Sequence, residues 1–184
     1  IQAAEDVYQI RFNNRAANAY LVRGRSRTIL IDVGLSTNYP ALVECLTHVD
    51  CPPDDIDMVV LSHEHLDHIG AAWHFAGHRA YIAAHRLAAN KIMLRDDFSM
   101  LRKMFNEPNV PINVDLWLEE GNLIDLGNFR LNQGNVPQRI GRVHDPPQVA
   151  THDIARVGRW QREGKGTATP QLTFYVNLTK IRLG

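Results

Sequence analysis

Three short apolar runs, separated by polar or glycine-containing turns, open the chain at residues 7–12, 19–23 and 28–31. Runs of this length that are rich in β-branched and aromatic residues favour strands, and consecutive strands joined by short turns predict an antiparallel meander. Asp32 and Gly34 follow the third run and are expected to end that strand. The chain therefore begins with part of a β-sheet.

The next two elements lead to a histidine-rich segment. Apolar residues at positions 42, 43, 46 and 49 have the spacing of one helix face, and Pro52-Pro53 follows this predicted helix of residues 39–49. Residues 57–61 contain the apolar run Met58-Val59-Val60-Leu61, which is typical of a buried strand. A polar segment follows directly, so we expect its histidines on a loop at the end of a strand.

Helices and strands continue to alternate as far as Leu131. The pattern predicts a helix over residues 69–76, a strand over 80–83, one or two helices over 85–105, and strands over 114–118, 123–126 and 129–131. Beyond Leu131 only residues 172–178 have the pattern of a strand. This alternation predicts an α/β fold for residues 1–131, followed by an atypical segment of residues 132–184.

Composition limits the class of protein. A chain of 184 residues with 45% apolar and 22% charged side chains has the make-up of one ordinary globular domain. We expect a cytoplasmic protein, because no apolar run is long enough to cross a bilayer and the first residues lack the pattern of a signal peptide. Cys45 and Cys51 have no paired motif and predict neither a disulfide framework nor a thiolate metal site.

The charges are divided unevenly along the chain, although their sum is zero. Residues 1–129 contain 11 Lys and Arg against 17 Asp and Glu, whereas residues 130–184 contain 9 against 3. A basic segment can contact nucleic acid. The arginines here form no cluster, and aromatic residues do not interleave with them, so we favour a small-molecule substrate over nucleic acid and expect no membrane partner. A homo-oligomer is left open.

Four metal-ligand side chains lie within six residues, on the loop between a strand and a helix: His63, His65, Asp67 and His68. Imidazole and carboxylate are ligands that zinc prefers, and manganese or iron would suit the same set. Alternate side chains of an extended loop point to one side, so His63 and His65 could share one ion while Asp67 and His68 face a second. Two ions can hold a nucleophilic hydroxide, which predicts hydrolysis.

Neighbouring polar residues receive other interpretations. Glu64 lies on the opposite side of the loop from the histidines and is expected behind them or in solvent, not as a ligand. Asp32 either orients a ligand histidine or simply forms a turn. The remaining histidines before residue 131 lack motif spacing and are interpreted as helix-face or loop residues: His48, His74, His78 and His85.

The motif His63-x-His65-x-Asp67-His68, followed by Ile69-Gly70, resembles the signature of the metallo-β-lactamase superfamily. Residues 18–22, 29–34 and 57–62 are similar to the strands that precede this loop in the family, and residues 120–127 are similar to the hairpin that opens its second half. The resemblance covers about residues 5–131. It implies an αββα sandwich, with His63 and His65 at a first metal, Asp67 and His68 at a second, and Asp67 also as the catalytic residue.

The resemblance further implies ligands that the chain does not supply in recognisable form. The family places a third histidine in a Thr-Pro-Gly-His segment after the strand ending at Leu131, followed by a bridging aspartate and a last histidine. Histidines and carboxylates do occur downstream, but the residues around them do not match the family's segments: His144, Asp145, His152 and Asp153. We therefore expect the second half of the sandwich to be incomplete, and hypothesise that the gene is read out of frame beyond about Leu131.

The resemblance implies a zinc-dependent hydrolase that uses metal-bound hydroxide to cleave an ester, lactone, thioester or amide. Lactonase-like and glyoxalase II-like members share the motif, so lactone or thioester chemistry is favoured. Two alternatives stay open: a degenerate, non-catalytic member that binds metal or a partner, and a nucleic-acid-processing relative that uses the basic segment.

Overall fold

The computed structural model describes residues 1–135, 154–157 and 174–180. These residues form two β-sheets and a layer of helices, so the predicted α/β class is confirmed. The strands are β1 Gln2–Ala4, β2 Val7–Ile10, β3 Ala19–Arg23, β4 Thr28–Ile31, β5 Met58–Leu61, β6 Tyr81–His85, β7 Leu116–Leu118, β8 Leu123–Asp125, β9 Phe129–Asn135, β10 Ile154–Val157 and β11 Phe174–Lys180. The α-helices are α1 Tyr39–Thr47, α2 Leu66–Ile69, α3 Arg86–Met93 and α4 Arg102–Phe105.

The first sheet has seven strands in the order in which they occur along the chain, β1 to β7. Its first four strands are antiparallel, as the predicted meander requires, and β4 to β7 are parallel. The second sheet is antiparallel, with the order β10-β11-β9-β8. Because β4, β5 and β6 run in the same direction, their carboxyl ends meet at one edge of the first sheet.

Both faces of the parallel strands are buried, which explains their uninterrupted apolar sequence. In β5, Val59 and Leu61 face the helices, while Met58 and Val60 face the second sheet. Ile124 and Phe129 of the second sheet close the other side of that inner core. The layers therefore run helices, first sheet, second sheet, which are the first three layers of the predicted sandwich.

One helix begins earlier than the sequence indicates. The periodicity predicts a helix over residues 69–76, but α2 already begins at Leu66, and a separate 3-10 helix covers Ala72–Gly77. The early start buries Leu66 and Ile69 together in the core under the helices. Asp67 and His68 consequently lie in a helical turn and not on the predicted extended loop.

Two further features concern the cysteines and the length of the helices. Cys45 and Cys51 are both free thiols, the first exposed and the second buried. No helix in the described part of the chain is long and apolar enough to cross a membrane.

Candidate metal centre

The histidine motif lies at the edge of the first sheet where the parallel strands β4 and β5 end. Asp32 follows β4, and Ser62 follows the neighbouring strand β5. The carboxylate of Asp32 accepts hydrogen bonds from the backbone N–H of Ser62 (2.8 Å) and from its hydroxyl (2.7 Å). Open α/β sheets bind their ligands outside the carboxyl ends of their strands, so the motif occupies a typical position for a functional site.

Asp32 also holds the far end of the motif. Its Oδ2 lies 2.7 Å from Nδ1 of His68. Burial acts to raise the pKa of the Asp32 carboxyl, but the charge of His68 and its hydrogen bond outweigh this and lower it. The backbone of Asp32 has a positive φ of 55° directly after β4, and its contact with His68 agrees with the first predicted role, orientation of a histidine.

The main chain fixes the motif from a second direction. The carbonyl oxygen of His68 accepts hydrogen bonds from the N–H groups of Val33 (2.8 Å) and Gly34 (3.0 Å). The carbonyl oxygen of Asp67 accepts from the N–H of Ala17 at 2.9 Å. The turn that carries these two residues is therefore attached to the segments that follow β4 and precede β3.

His63 and His65 converge, as predicted, although the chain bends at residues 62–64 and is not the extended loop on which that prediction rested. Nε2 of His63 lies 3.0 Å from Nδ1 of His65, and their ring centroids are 4.5 Å apart. Burial lowers the pKa of His63 to about 3, and the charge of His68 acts in the same direction. Burial also lowers the pKa of His65. Both imidazoles are thus held neutral, which is the state that binds a metal ion.

Asp67 and His68 form the second pair. Oδ2 of Asp67 lies 3.8 Å from Nε2 of His68, the ring nitrogen that does not contact Asp32. Burial acts to lower the pKa of His68, but the charge and hydrogen bond of Asp32 raise it overall. The other carboxylate oxygen of Asp67, Oδ1, is buried without a hydrogen-bond partner. Burial raises the pKa of this carboxyl.

The structure brings all four predicted ligands to one place, where the ring of His63 lies near both His65 and His68, with centroids 4.5 Å and 4.0 Å apart. Within the described residues, no group of three or more His, Cys, Asp or Glu side chains is arranged to hold an ion. The downstream candidates lie outside the described residues: His144, Asp145, His152 and Asp153. The assignment of ligands and of Asp67 as the catalytic residue therefore stays a prediction.

The other histidines make local contacts: His74 and His78 lie in and after the 3-10 helix, as interpreted, whereas His85 is the buried last residue of β6. The ring of His74 stacks on Tyr39 with centroids 3.9 Å apart. Nε2 of His78 lies 3.1 Å from the hydroxyl of Tyr39, and its Nδ1 lies 2.6 Å from Oδ1 of Asp54. His85 caps α3, where its Nδ1 accepts a hydrogen bond from the N–H of Leu87.

Two contacts of the motif have no signal in the local sequence. Glu64 is buried, not in solvent, and its Oε1 accepts a hydrogen bond from Nζ of Lys91 on α3. The carbonyl oxygen of Met100 accepts one from the N–H of Leu66. Lys91 lies 27 residues from Glu64 along the chain, so only the packing of α3 shows that the two meet.

Comparison with known proteins gives consistent matches. Residues 13–137 match the family model described as the metallo-β-lactamase superfamily. The chain is 27% identical to the acyl-coenzyme A thioesterase MBLAC2 of Gallus gallus, over 74% of this chain and 53% of that protein.

Solved structures with the same fold include two metallo-β-lactamases. BJP-1, a subclass B3 enzyme of Bradyrhizobium japonicum, superposes with a TM-score of 0.65 at 18% identity, covering 74% of this chain and 51% of its own. The enzyme of Cronobacter sakazakii with an HARLDQ motif gives 0.63 at 21% identity, covering 73% and 51%. The chain thus spans about half the length of the relatives that it matches.

Proposed function

The chain belongs to the metallo-β-lactamase superfamily, and on that premise we propose that it is a zinc-dependent hydrolase acting on an ester, lactone, thioester or amide. The observation that carries this proposal is the arrangement of the motif at the end of β5. Two neutral imidazoles, His63 and His65, direct nitrogen atoms to within 3.0 Å of each other. A second pair, Asp67 and His68, lies in the next turn of the chain.

The donor set fits zinc in its chemistry. Imidazole nitrogen and carboxylate oxygen are both zinc ligands. The buried Oδ1 of Asp67 has no hydrogen-bond partner, and an unpaired buried oxygen costs about 1–3 kcal/mol unless something satisfies it. A cation would satisfy it. We propose His63 and His65 as ligands of a first ion, and Asp67 and His68 as ligands of a second; manganese or iron would suit the same donors.

Each side chain has a separate task in this proposal. Asp32 accepts from Nδ1 of His68, so Nε2 of that ring is the nitrogen that would face an ion, which would have to displace the proton that the raised pKa favours there. Burial keeps His63 and His65 unprotonated, so that cations need not compete with protons for them. Asp67, with its raised pKa, is the proposed catalytic residue and would hold a proton or an ion at Oδ1. Bound zinc would activate water and polarise the oxygen of the scissile bond.

We favour a thioester or a lactone as the substrate. The relative MBLAC2 is named as an acyl-coenzyme A thioesterase, which supports the thioester.

Metal content tests this proposal. The purified chain and a His65→Ala variant are compared by elemental analysis, with hydrolysis of a simple lactone and a simple thioester followed in parallel. His48→Ala is the matched control, because His48 is an exposed histidine at the end of α1. We expect about two metal ions per chain, with both metal and turnover reduced in His65→Ala and retained in His48→Ala.

The opposite result distinguishes the alternative. Substoichiometric metal in the unaltered chain, with no hydrolysis by any of the three proteins, would mean that the chain retains the motif without the chemistry. The degenerate, binding-only interpretation would then replace the hydrolase.

A further inference from the structure

An ion pair between a buried carboxylate and a partly exposed lysine connects the middle of the histidine motif to helix α3. Oε1 of Glu64 lies 2.5 Å from Nζ of Lys91. Only 8% of the Glu64 side chain is exposed, whereas 39% of Lys91 is. Removing the partner of a buried charge is strongly destabilising, so a carboxylate this deeply buried is tied to its lysine. The pair therefore constrains where Glu64 can be.

Helix α3 is a rigid platform for the lysine. One face of this helix packs into the core between the helices and the first sheet through Ala88, Ala89 and Ile92, each at most 1% exposed. Lys91 lies next to Ile92 on this anchored helix and is partly buried. A side chain bound to Lys91 is thus fixed relative to the core and not to a mobile loop.

The position of Glu64 determines what the ion pair does. Glu64 is the residue between His63 and His65, at the bend of residues 62–64. Anchoring its side chain fixes the main chain that carries both imidazoles, whose Nε2 (His63) and Nδ1 (His65) are 3.0 Å apart. Asp32 and the main-chain contacts hold the two ends of the motif, while Lys91 holds its centre.

We propose that Lys91 is a positioning residue of the metal centre, whose ion pair with Glu64 sets the convergence of His63 and His65. The inference rests on the proposed function only in taking these histidines as metal ligands. Contacts that orient ligands typically change metal affinity about 10–100-fold when removed. Lys91 would therefore control metal affinity without contacting the ion.

Zinc titration of the full chain tests this role. Zinc is titrated against a chromophoric chelator at fixed pH for the unaltered chain, Lys91→Met, Glu64→Met and the double variant. Lys103→Met, which removes an exposed lysine from α4, is the control. We expect both single variants to bind zinc about 10-fold more weakly, and the double variant to be no weaker than either, since both changes remove one interaction.

The two single variants separate positioning from simple electrostatics. Loss of the positive Lys91 would strengthen cation binding through charge alone, and loss of the negative Glu64 would weaken it. Positioning predicts that both variants weaken it. Lys91→Arg, which keeps a positive charge beside Glu64, should retain most of the zinc affinity of the unaltered chain. If Lys91→Met fails to fold, the double variant still separates the two explanations. It leaves the net charge unchanged and no buried charge unpaired, so charge alone predicts an unchanged zinc affinity, whereas positioning predicts a weaker one.

Two results would overturn the inference alone: opposite shifts in the two single variants, or zinc affinities equal to that of Lys103→Met. If the unaltered chain bound no zinc, the proposed function would fail and this inference with it.

Discussion

Asp67 has a buried carboxylate oxygen, Oδ1, that accepts no hydrogen bond. Such an atom costs about 1–3 kcal/mol when the site holds no ion. Asn carries no charge in the same shape, so Asp67→Asn should raise the free energy of unfolding of the metal-free protein by about 1 kcal/mol. With saturating zinc the unaltered protein should be the more stable of the two, because an ion bound through Asp67 stabilises the folded state.

Urea denaturation with a chelator, and again with zinc, measures both effects of Asp67→Asn. Asp55→Asn is the control, since Asp55 is exposed. If the chelated Asp67→Asn protein were no more stable than the unaltered one, Oδ1 would be satisfied in solution by something other than an ion.

At the scale of residues, the sequence predicts the identity of the site better than its surroundings. The spacing of His63, His65, Asp67 and His68 is a local pattern, so it can be read from the chain. The partner of Glu64 cannot, because Lys91 reaches it only after α3 has packed against the sheet. Asp32 lies between these cases: its place at the end of a strand is visible, whereas its contact with His68 depends on β4 and β5 being neighbours.

Helix α3 begins with a titratable cap. Nδ1 of His85 accepts a hydrogen bond from the N–H of Leu87 at 3.3 Å, which only the neutral imidazole can do. Burial lowers the pKa of His85 below 6.5, and the charge of Arg86 adds to this. A group with a lowered folded-state pKa contributes its full stability above its unfolded pKa and loses it as the pH falls through the folded pKa.

We therefore expect the free energy of unfolding to decrease between about pH 7 and pH 5 more steeply in the unaltered protein than in His85→Asn. Asn caps the helix through an amide oxygen that does not titrate, and it leaves the other titrating groups in place. Urea denaturation at a series of pH values measures the difference. Parallel pH profiles would show that the cap does not respond to protonation.

At the scale of elements, the spacing of apolar residues predicts the strands β3 and β4 and the helix α1 well. The predicted strands at 19–23 and 28–31 coincide with β3 and β4, and the predicted helix of residues 39–49 contains α1. The predicted start of this helix, residue 69, is wrong because α2 begins at Leu66. Leu66 lies in a polar sequence, and a single buried leucine does not establish a helical periodicity. Helix α4 has four residues and is also too short to show a helical periodicity.

The arrangement of the second sheet is a whole-molecule property. Local patterns predict β8, β9 and a strand near β11, but they do not show that β11 pairs with β9 in the register Phe174 to Asn135. The boundary placed at Leu131 stays a prediction, as does the change of reading frame. Strand β9 runs from Phe129 to Asn135, and the family match extends to residue 137.

The two sheets meet closely where the turn between β3 and β4 contacts the turn after β8. The N–H of Ser26 donates to the carbonyl oxygen of Leu126 at 3.1 Å, and the N–H of Arg25 donates to Oδ1 of Asn128 at 2.8 Å. Gly24 lies in this contact. A Cβ at Gly24 would lie 2.4 Å from the carbonyl oxygen of Leu126 and 2.7 Å from that of Arg27.

Gly24→Ala must push these turns apart, because the atoms it meets are two backbone oxygens and the Cβ of Leu126, none of which can rotate away. We expect it to lower the free energy of unfolding by about 3 kcal/mol. Gly77→Ala is the matched control, since a Cβ there has no atom within 4 Å, and it should change stability by less than about 1 kcal/mol. If both variants unfolded at the same urea concentration, the contact between the turns would not hold the sheets together, and the buried residues between them would have to do so alone.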